Sequence, residues 1–183
     1  MGYSTCMNIV KYGNEVLETP TENVVEFDDE LVKFVDEMIE TTKENNGVGL
    51  AAPQVNDSRR VCVIDLEIPE GIVYDGEKVL TTDYYPLVLV NPQIIVVSEA
   101  KSIMNEGCLS FPGVTLPVKR PSVIKVKFND MEGNERLLEC AGVLARCIQH
   151  EVDHLDGVLF HTRTKKIKNK DAKLIRRIRV SNT

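Results

Sequence analysis

The stretch that most constrains this chain is CIQHEVDHLDG, residues 147–157. His150 and His154 stand four residues apart, so a helix through this segment stacks both imidazoles on one face. Glu151, one residue on from His150, projects about 100° around such a helix. Gly157 can then end the helix in the left-handed conformation that glycine tolerates. The spacing predicts a helix over roughly 142–156. Two imidazoles on one face can reach one cation, with Glu151 close enough to act on a water without being a ligand. Two ligands do not hold a metal, however, and a hydrolytic site needs a third.

The third ligand does not lie downstream. A histidine ten residues after His150 would suit one group of HExxH proteins, but position 160 is Phe160, and His161 misses by one residue. A glutamate about twenty residues further on would suit another, but the only acid after Asp156 is Asp171, within a basic stretch. Upstream, NEGCLSFPG offers Cys108, flanked by Gly107 and the Pro112-Gly113 turn signal. As a thiolate it would complete a Cys-His-His set with an open fourth position. Cys147 is the alternative, although its place three residues before His150 adds little independent geometry.

The rest of the chain reads as one early helix, a run of strands and a C-terminal helix. Leu31, Phe34, Val35, Met38 and Ile39 form one stripe at helical period, capped by Asp28 and stopped at Asn45-Asn46-Gly47. RRVCVIDL (59–66) reads as a strand, and 68–86 as a loop or hairpin insertion. LVLVNPQIIVVSEA (87–100) reads as two strands around an Asn91-Pro92 turn. Residues 123–141 alternate around NDMEGN, a hairpin signal. The VLF run after Gly157 suggests a last short strand, and NKDAKLIRRIRV a C-terminal helix. The expected class is α+β: antiparallel strands around the central histidine-bearing helix, with one helix near each terminus.

GVGLAAPQ (47–54) formally fits a dinucleotide fingerprint, but it follows a helix rather than a strand, and Pro53 interrupts what comes next. No nucleotide cofactor is expected. The glycines suit a backbone that approaches a ligand closely, and Gln54 ends the run with an amide that can donate.

Composition narrows the remaining options. At 43% hydrophobic and 27% charged, 183 residues can build one core. No apolar run approaches the roughly 18–20 residues that span a bilayer. The N-terminus carries no signal-peptide core, and Cys6 stands where a myristoylation signal needs Ser or Thr. Five cysteines without a CxxC pair point to reduced thiols. The net charge of −6 is uneven: residues 163–183 carry nine bases and one acid, +8, leaving −14 for the remainder. That tail is either a solvated helix or an arm for a polyanion such as RNA.

Three motifs now stand in order: GVGLAAPQ (47–54), EGCLS (106–110) and QHEVDHLDG (149–157). Together they resemble the peptide deformylase family, whose signatures are GxGxAAxQ, EGCLS and QHExDHLxG. The resemblance covers roughly residues 8–165. It implies that Cys108, His150 and His154 hold one divalent metal per chain. The ion in this family is usually Fe²⁺ in the cell, and Zn²⁺, Ni²⁺ or Co²⁺ is tolerated in purified protein. It implies a metal-bound hydroxide attacking the formyl carbonyl of N-formylmethionine on a nascent peptide, with Glu151 as general base and then acid. Gln54 and the backbone N–H of Leu109 would stabilise the oxyanion. Val48, Gly49 and Gly113 would line the peptide groove, and Glu106, Val48, Val143 and Cys147 would wall the methionine pocket. Gln149 and Asp153 are expected to support the helix.

The chain also departs from the family. Some bacterial members carry an arginine seven residues beyond the motif cysteine, where this chain has Thr115, and the 68–86 segment is longer than in compact members. The basic helix docks on the ribosome near the exit tunnel in some bacterial relatives. The division implied is a catalytic domain over 1–165 and a basic tail over 166–183; deleting residues 165–183 would spare hydrolysis of a short formyl-peptide while weakening ribosome binding. The location implied is the bacterial cytoplasm or an organelle. The rival readings are a metallopeptidase cutting internal bonds and a non-catalytic RNA- or ribosome-binding protein with a structural metal. Against the latter, structural zinc usually takes four protein ligands, and only three are identifiable.

Overall fold

Among the described residues, three α-helices and nine strands run from the early helix α1 (Asp29–Glu44) to the C-terminal α3 (Asn169–Val180), with α2 (Gly142–Leu155) between them. The structure, a computed structural model, describes residues 6–66, 71–165 and 167–182. Residues 68–70 of the insertion and Lys166 of the basic tail lie outside the described residues. The strands are β1 (Gly49–Ala51), β2 (Val61–Ile64), β3 (Gly71–Tyr74), β4 (Glu77–Leu80), β5 (Leu87–Val97), β6 (Lys101–Gly107), β7 (Thr115–Pro121), β8 (Val123–Asn129) and β9 (Glu135–Ala141). Seven form one sheet in the order β1-β2-β5-β8-β9-β3-β4, and β6 pairs with β7 separately. Every strand pairing is antiparallel, so the fold is α+β as expected.

β2 shows how the layers form. VCVI is buried at all four positions. Val61 and Val63 pack with Leu31, Phe34 and Met38 of α1. Cys62 and Ile64 face the other way, into a cluster with Leu144, Ile148, Val152 and Leu155 of α2. A strand covered on both faces reads as a continuous apolar run, and this one is covered by a helix on each side. In consequence α2 is buried at every position from Leu144 to Leu155. Its histidines and glutamate therefore sit inside the protein.

Local signals place several elements where the sequence puts them. Asp28 accepts from the Leu31 N–H (2.9 Å) and starts α1. Gly157 follows α2 with φ +70. The 123–141 segment is the β8–β9 hairpin. The insertion is a hairpin: β3 and β4 turn at Asp75-Gly76, both at positive φ, and β3 extends the sheet beside β9.

Two expectations are corrected. Asn91-Pro92 makes no turn; β5 runs through it as one strand, with a register shift between Val90 and Gln93. Asn91 takes φ 52, and its side chain accepts from Val24 N–H and donates to Val24 C=O. The residue thus serves as a bulge clamped to a distant segment. The VLF run forms no strand either. Leu159 and Phe160 bury themselves in the cluster around Phe111, and Phe160–Arg163 is a turn of 3₁₀ helix.

A third cluster joins residues from the N-terminal segment to α3. Leu116 and Val118 of β7, Phe111, Phe160, Tyr12 and the α3 residues Ile175 and Ile178 share it. Tyr12 stacks on Phe111 with ring centroids 4.7 Å apart. The exposed face of α3 carries Lys170, Lys173, Arg176, Arg177 and Arg179.

Candidate metal and active site

β6 ends at Gly107, paired with Thr115, and the chain turns there to present Cys108 towards α2. One ligand atom each from Cys108, His150 and His154 lies within 4.8 Å of the others. Cys108 Sγ is 3.2 Å from His154 Nε2. His150 donates from Nδ1 to Glu106 Oε2 (3.0 Å), which leaves its Nε2 for a cation. A soft thiolate with two imidazoles suits a transition-series divalent ion, and three protein ligands leave a position open. The donor set therefore fits one metal. Cys147, the alternative ligand, lies outside this group.

Behind the imidazoles lies a buried ionic network. Arg120 donates to Glu106 at 2.7 and 2.9 Å and to Asp153 at 2.7 Å. Arg146 donates to Glu106 at 2.6 Å, and Arg163 to Asp153 at 2.6 Å. Burial alone would raise the Glu106 carboxyl, but hydrogen bonds from His150 and Arg120 and the guanidinium charge hold it at about 2. A permanently ionised Glu106 fixes the His150 tautomer and ring orientation. Such buried pairs add little net stability after desolvation, so holding His150 in place is the clearest consequence of this one. Glu106 also lines the cavity described below, while its carboxylate is taken up by Arg120, Arg146 and His150. Gln149 donates to the Pro121 and Ala145 carbonyls and anchors α2 to the end of β7.

Glu151 is 4% exposed, and its Oε2 has no hydrogen-bond partner among the described residues. Burial raises its pKa to about 7; the charges of His150 and Arg120 pull down against that, and those of Glu106 and Asp153 add to it. A carboxyl poised near neutrality can both take and return a proton. Its place depends on Gly49, where a Cβ would stand 2.7 Å from Glu151 Oε1.

Gln54 is held from both ends. Its Oε1 accepts from Ala51 N–H (2.9 Å), so the amide nitrogen points the other way, 3.3 Å from Ser110 Oγ and 3.5 Å from Cys108 Sγ. Leu109 follows Cys108 directly. Val48, Gly49, Gly113, Val143 and Cys147 line a cavity of about 650 Å³ that also reaches Cys108, His150 and Glu151. Gly113 sits at φ +76, a conformation that L side chains rarely adopt. The twelve residues expected to bind metal, take part in catalysis or contact substrate thus border this cavity or, for His154, lie beside Cys108.

Residue-by-residue reading overlooked Arg120, Arg146 and Lys11. Arg120 carried a usable signal. It continues the buried phase of Leu116 and Val118 along β7, and a charged residue in an apolar phase must find buried partners.

Fold and site together define a chain whose sheet and buried helix bring a thiol, two imidazoles and a carboxyl to one cavity. The chain belongs to the polypeptide deformylase family, whose sequence pattern matches residues 6–170. Peptide deformylase 1 of Bacillus anthracis is 46% identical over 154 residues, 84% of this chain and 89% of that one. Peptide deformylase of Microchaete diplosiphon is 42% identical over 148 residues, 81% and 73% of the two chains. The crystal structure of the Ehrlichia chaffeensis peptide deformylase superposes with a TM-score of 0.81 at 33% identity, covering 97% of each chain. The family removes N-formyl groups from nascent peptides, and its members are metalloenzymes. Among the described residues no helix is long and apolar enough to cross a membrane.

Proposed function

We propose that this enzyme hydrolyses the N-formyl group from N-formylmethionine at the start of nascent polypeptides, using one divalent metal held by Cys108, His150 and His154. The ion supplies Lewis acidity; Fe²⁺ is the cellular choice we infer, with Zn²⁺, Ni²⁺ or Co²⁺ serving in purified protein. Glu151 takes a proton from the attacking water and returns it to the amine nitrogen as the C–N bond breaks, yielding formate and a free methionyl amine. The Gln54 amide and the Leu109 N–H donate to the oxygen that becomes negative in the transition state. The peptide lies along Val48, Gly49 and Gly113 as an added strand. The methionine side chain enters between Val48, Val143 and Cys147, with Glu106 behind it.

The observation that carries this reading is Glu151: a buried carboxyl with an unpartnered oxygen beside a three-ligand group. We assign residues 1–165 to catalysis and 166–183 to a basic appendage that meets the ribosome near the exit tunnel, in a bacterial cytoplasm or an organelle. The test is turnover of a short formyl-Met peptide by anaerobically prepared protein, with metal content measured on the same sample. Glu151→Ala is expected to keep metal and fold and lose turnover; near-full activity in that variant would rule out the general-base assignment.

A further inference from the structure

Gln54 and Leu109 come from segments 55 residues apart, yet their roles require a fixed mutual position. Residues 10–12 touch both. Val10 N–H donates to Gln54 C=O (2.8 Å), and Tyr12 N–H donates to Ser110 C=O (3.0 Å). Between them the Lys11 ammonium donates to Leu109 C=O (2.9 Å). Lys11 itself lines the cavity. Among the described residues its ammonium has no carboxylate partner. The counter-charge that acts on it is Cys108, in the same loop that its hydrogen bond holds. Here its bond goes to the residue whose own N–H faces the reaction.

We infer that Lys11 is a positioning residue: with Val10 and Tyr12 it forms a strap that holds the Leu109 peptide in register with the Gln54 amide. This rests on the oxyanion roles proposed above. The geometry gives the cause. The Leu109 carbonyl is tied by a charge-assisted bond, the next carbonyl by Tyr12, and Phe111 N–H returns to Cys108 C=O (2.9 Å). The Leu109 N–H shares its peptide plane with the Cys108 carbonyl, which Phe111 N–H holds; Lys11 and Tyr12 hold the next two planes through the Leu109 and Ser110 carbonyls, so the Leu109 N–H plane is braced on its C-terminal side. Lys11 touches no reacting atom. Its loss should lower the rate while leaving substrate binding intact, because oxyanion donors act in the transition state.

The experiment compares Lys11→Met, Lys11→Arg and Gln54→Ala with the unaltered enzyme on a formyl-Met peptide. It also follows the Leu109 amide by ¹⁵N chemical shift and hydrogen exchange. Lys11→Met is expected to lose about tenfold in kcat with KM within about twofold, part of the 10²–10³ that a whole donor supplies. The Leu109 amide should shift and exchange faster, while the β8–β9 hairpin stays unchanged. Lys11→Arg should restore both readouts, since arginine can still donate to the carbonyl. Full kcat in Lys11→Met with an impaired Gln54→Ala would overturn the Lys11 assignment alone. Full kcat in Gln54→Ala would remove the oxyanion reading and the Lys11 role with it. An unmoved Leu109 amide in Lys11→Met, or equal losses at the distant hairpin, would also count against the strap.

Discussion

Gly49 and Glu151 share one space: the Cβ that any other residue would carry at position 49 falls 2.7 Å from Oε1 and 3.1 Å from the carboxyl carbon of Glu151. The glycine of the first motif thus sets where the carboxylate of the third can stand. Gly49→Ala must push Glu151 aside or bend β1. Because the collision is with a side chain, the fold should survive. We expect metal content to be retained and kcat to fall by roughly 10²- to 10⁴-fold, the range of a misplaced general base. Steady-state kinetics with metal analysis on the same sample measures this. An alanine variant with normal turnover would mean that Glu151 need not occupy its present position.

Metal uptake should release a proton from His150. Burial lowers the pKa of that imidazole, but hydrogen bonds with Cys108 and Glu106 and the charges of Glu151 and Cys108 raise it to about 10. An imidazole that binds a metal must be neutral. Below pH 10 the metal-free ring is protonated, so each unit of falling pH should weaken metal affinity about tenfold through this group alone. Calorimetric titration of Zn²⁺ into chelator-stripped protein, in buffers of different ionisation enthalpy, should show at least one proton released per ion at pH 7. A result of no protons released would contradict a protonated His150 in the metal-free chain.

Glu106→Gln tests the ionic network without the metal. The carboxyl is held at about 2 in the folded chain, below its ordinary 4.5. A depressed carboxylate contributes stability that is complete above pH 4.5 and disappears as pH falls from there through 2. Metal-free wild type should therefore lose stability across that window, and Glu106→Gln should lose less there. At pH 7 the variant leaves Arg120 and Arg146 without a shared counter-ion, which should cost about 3–5 kcal/mol. Urea unfolding at pH 7 and pH 3 separates the two effects.

What could be read from the sequence was local in origin. The cap at Asp28, the stop at Gly157 and the β8–β9 turn each depend on residues within a few positions of one another. The three motifs carried the site for a related reason: each is a short run whose residues act at one end of one element. Long-range relationships stayed hidden. Asn91-Pro92 has the composition of a turn, and its actual role is set by Val24, 67 residues away. Arg120 finds Glu106 and Asp153 at separations of 14 and 33 residues. The β6–β7 ribbon gave little pattern because β6 is mostly exposed, with only Glu106 buried, and that residue is polar.

The last prediction concerns the basic tail, whose charge and whose packing belong to different faces of α3. Ile175 and Ile178 are each 8% exposed and pack in the cluster of Tyr12, Phe111 and Phe160. Leu174 reaches to 3.6 Å from where a Cβ on Gly113 would stand, at the edge of the cavity that reaches Cys108, His150 and Glu151. Cutting the chain before α3 would expose this cluster. It should lower the Tm and disturb hydrolysis, whatever the tail binds, so this packing replaces the expectation that the tail can be removed without cost to short-peptide hydrolysis. Ile175→Ala with Ile178→Ala should reproduce that loss, at about 2–5 kcal/mol per buried side chain. Neutralising the outer face alone, by Lys170→Gln, Lys173→Gln and Arg176→Gln, removes three charges without touching the cluster. That variant should match wild type in Tm and in turnover of a short formyl-peptide. If the face meets ribosomal RNA, its ribosome affinity should be weaker and less salt-dependent, with the logarithmic slope reduced by about 0.7–0.9 for each phosphate no longer neutralised. Unchanged affinity with an unchanged slope would leave α3 as packing alone.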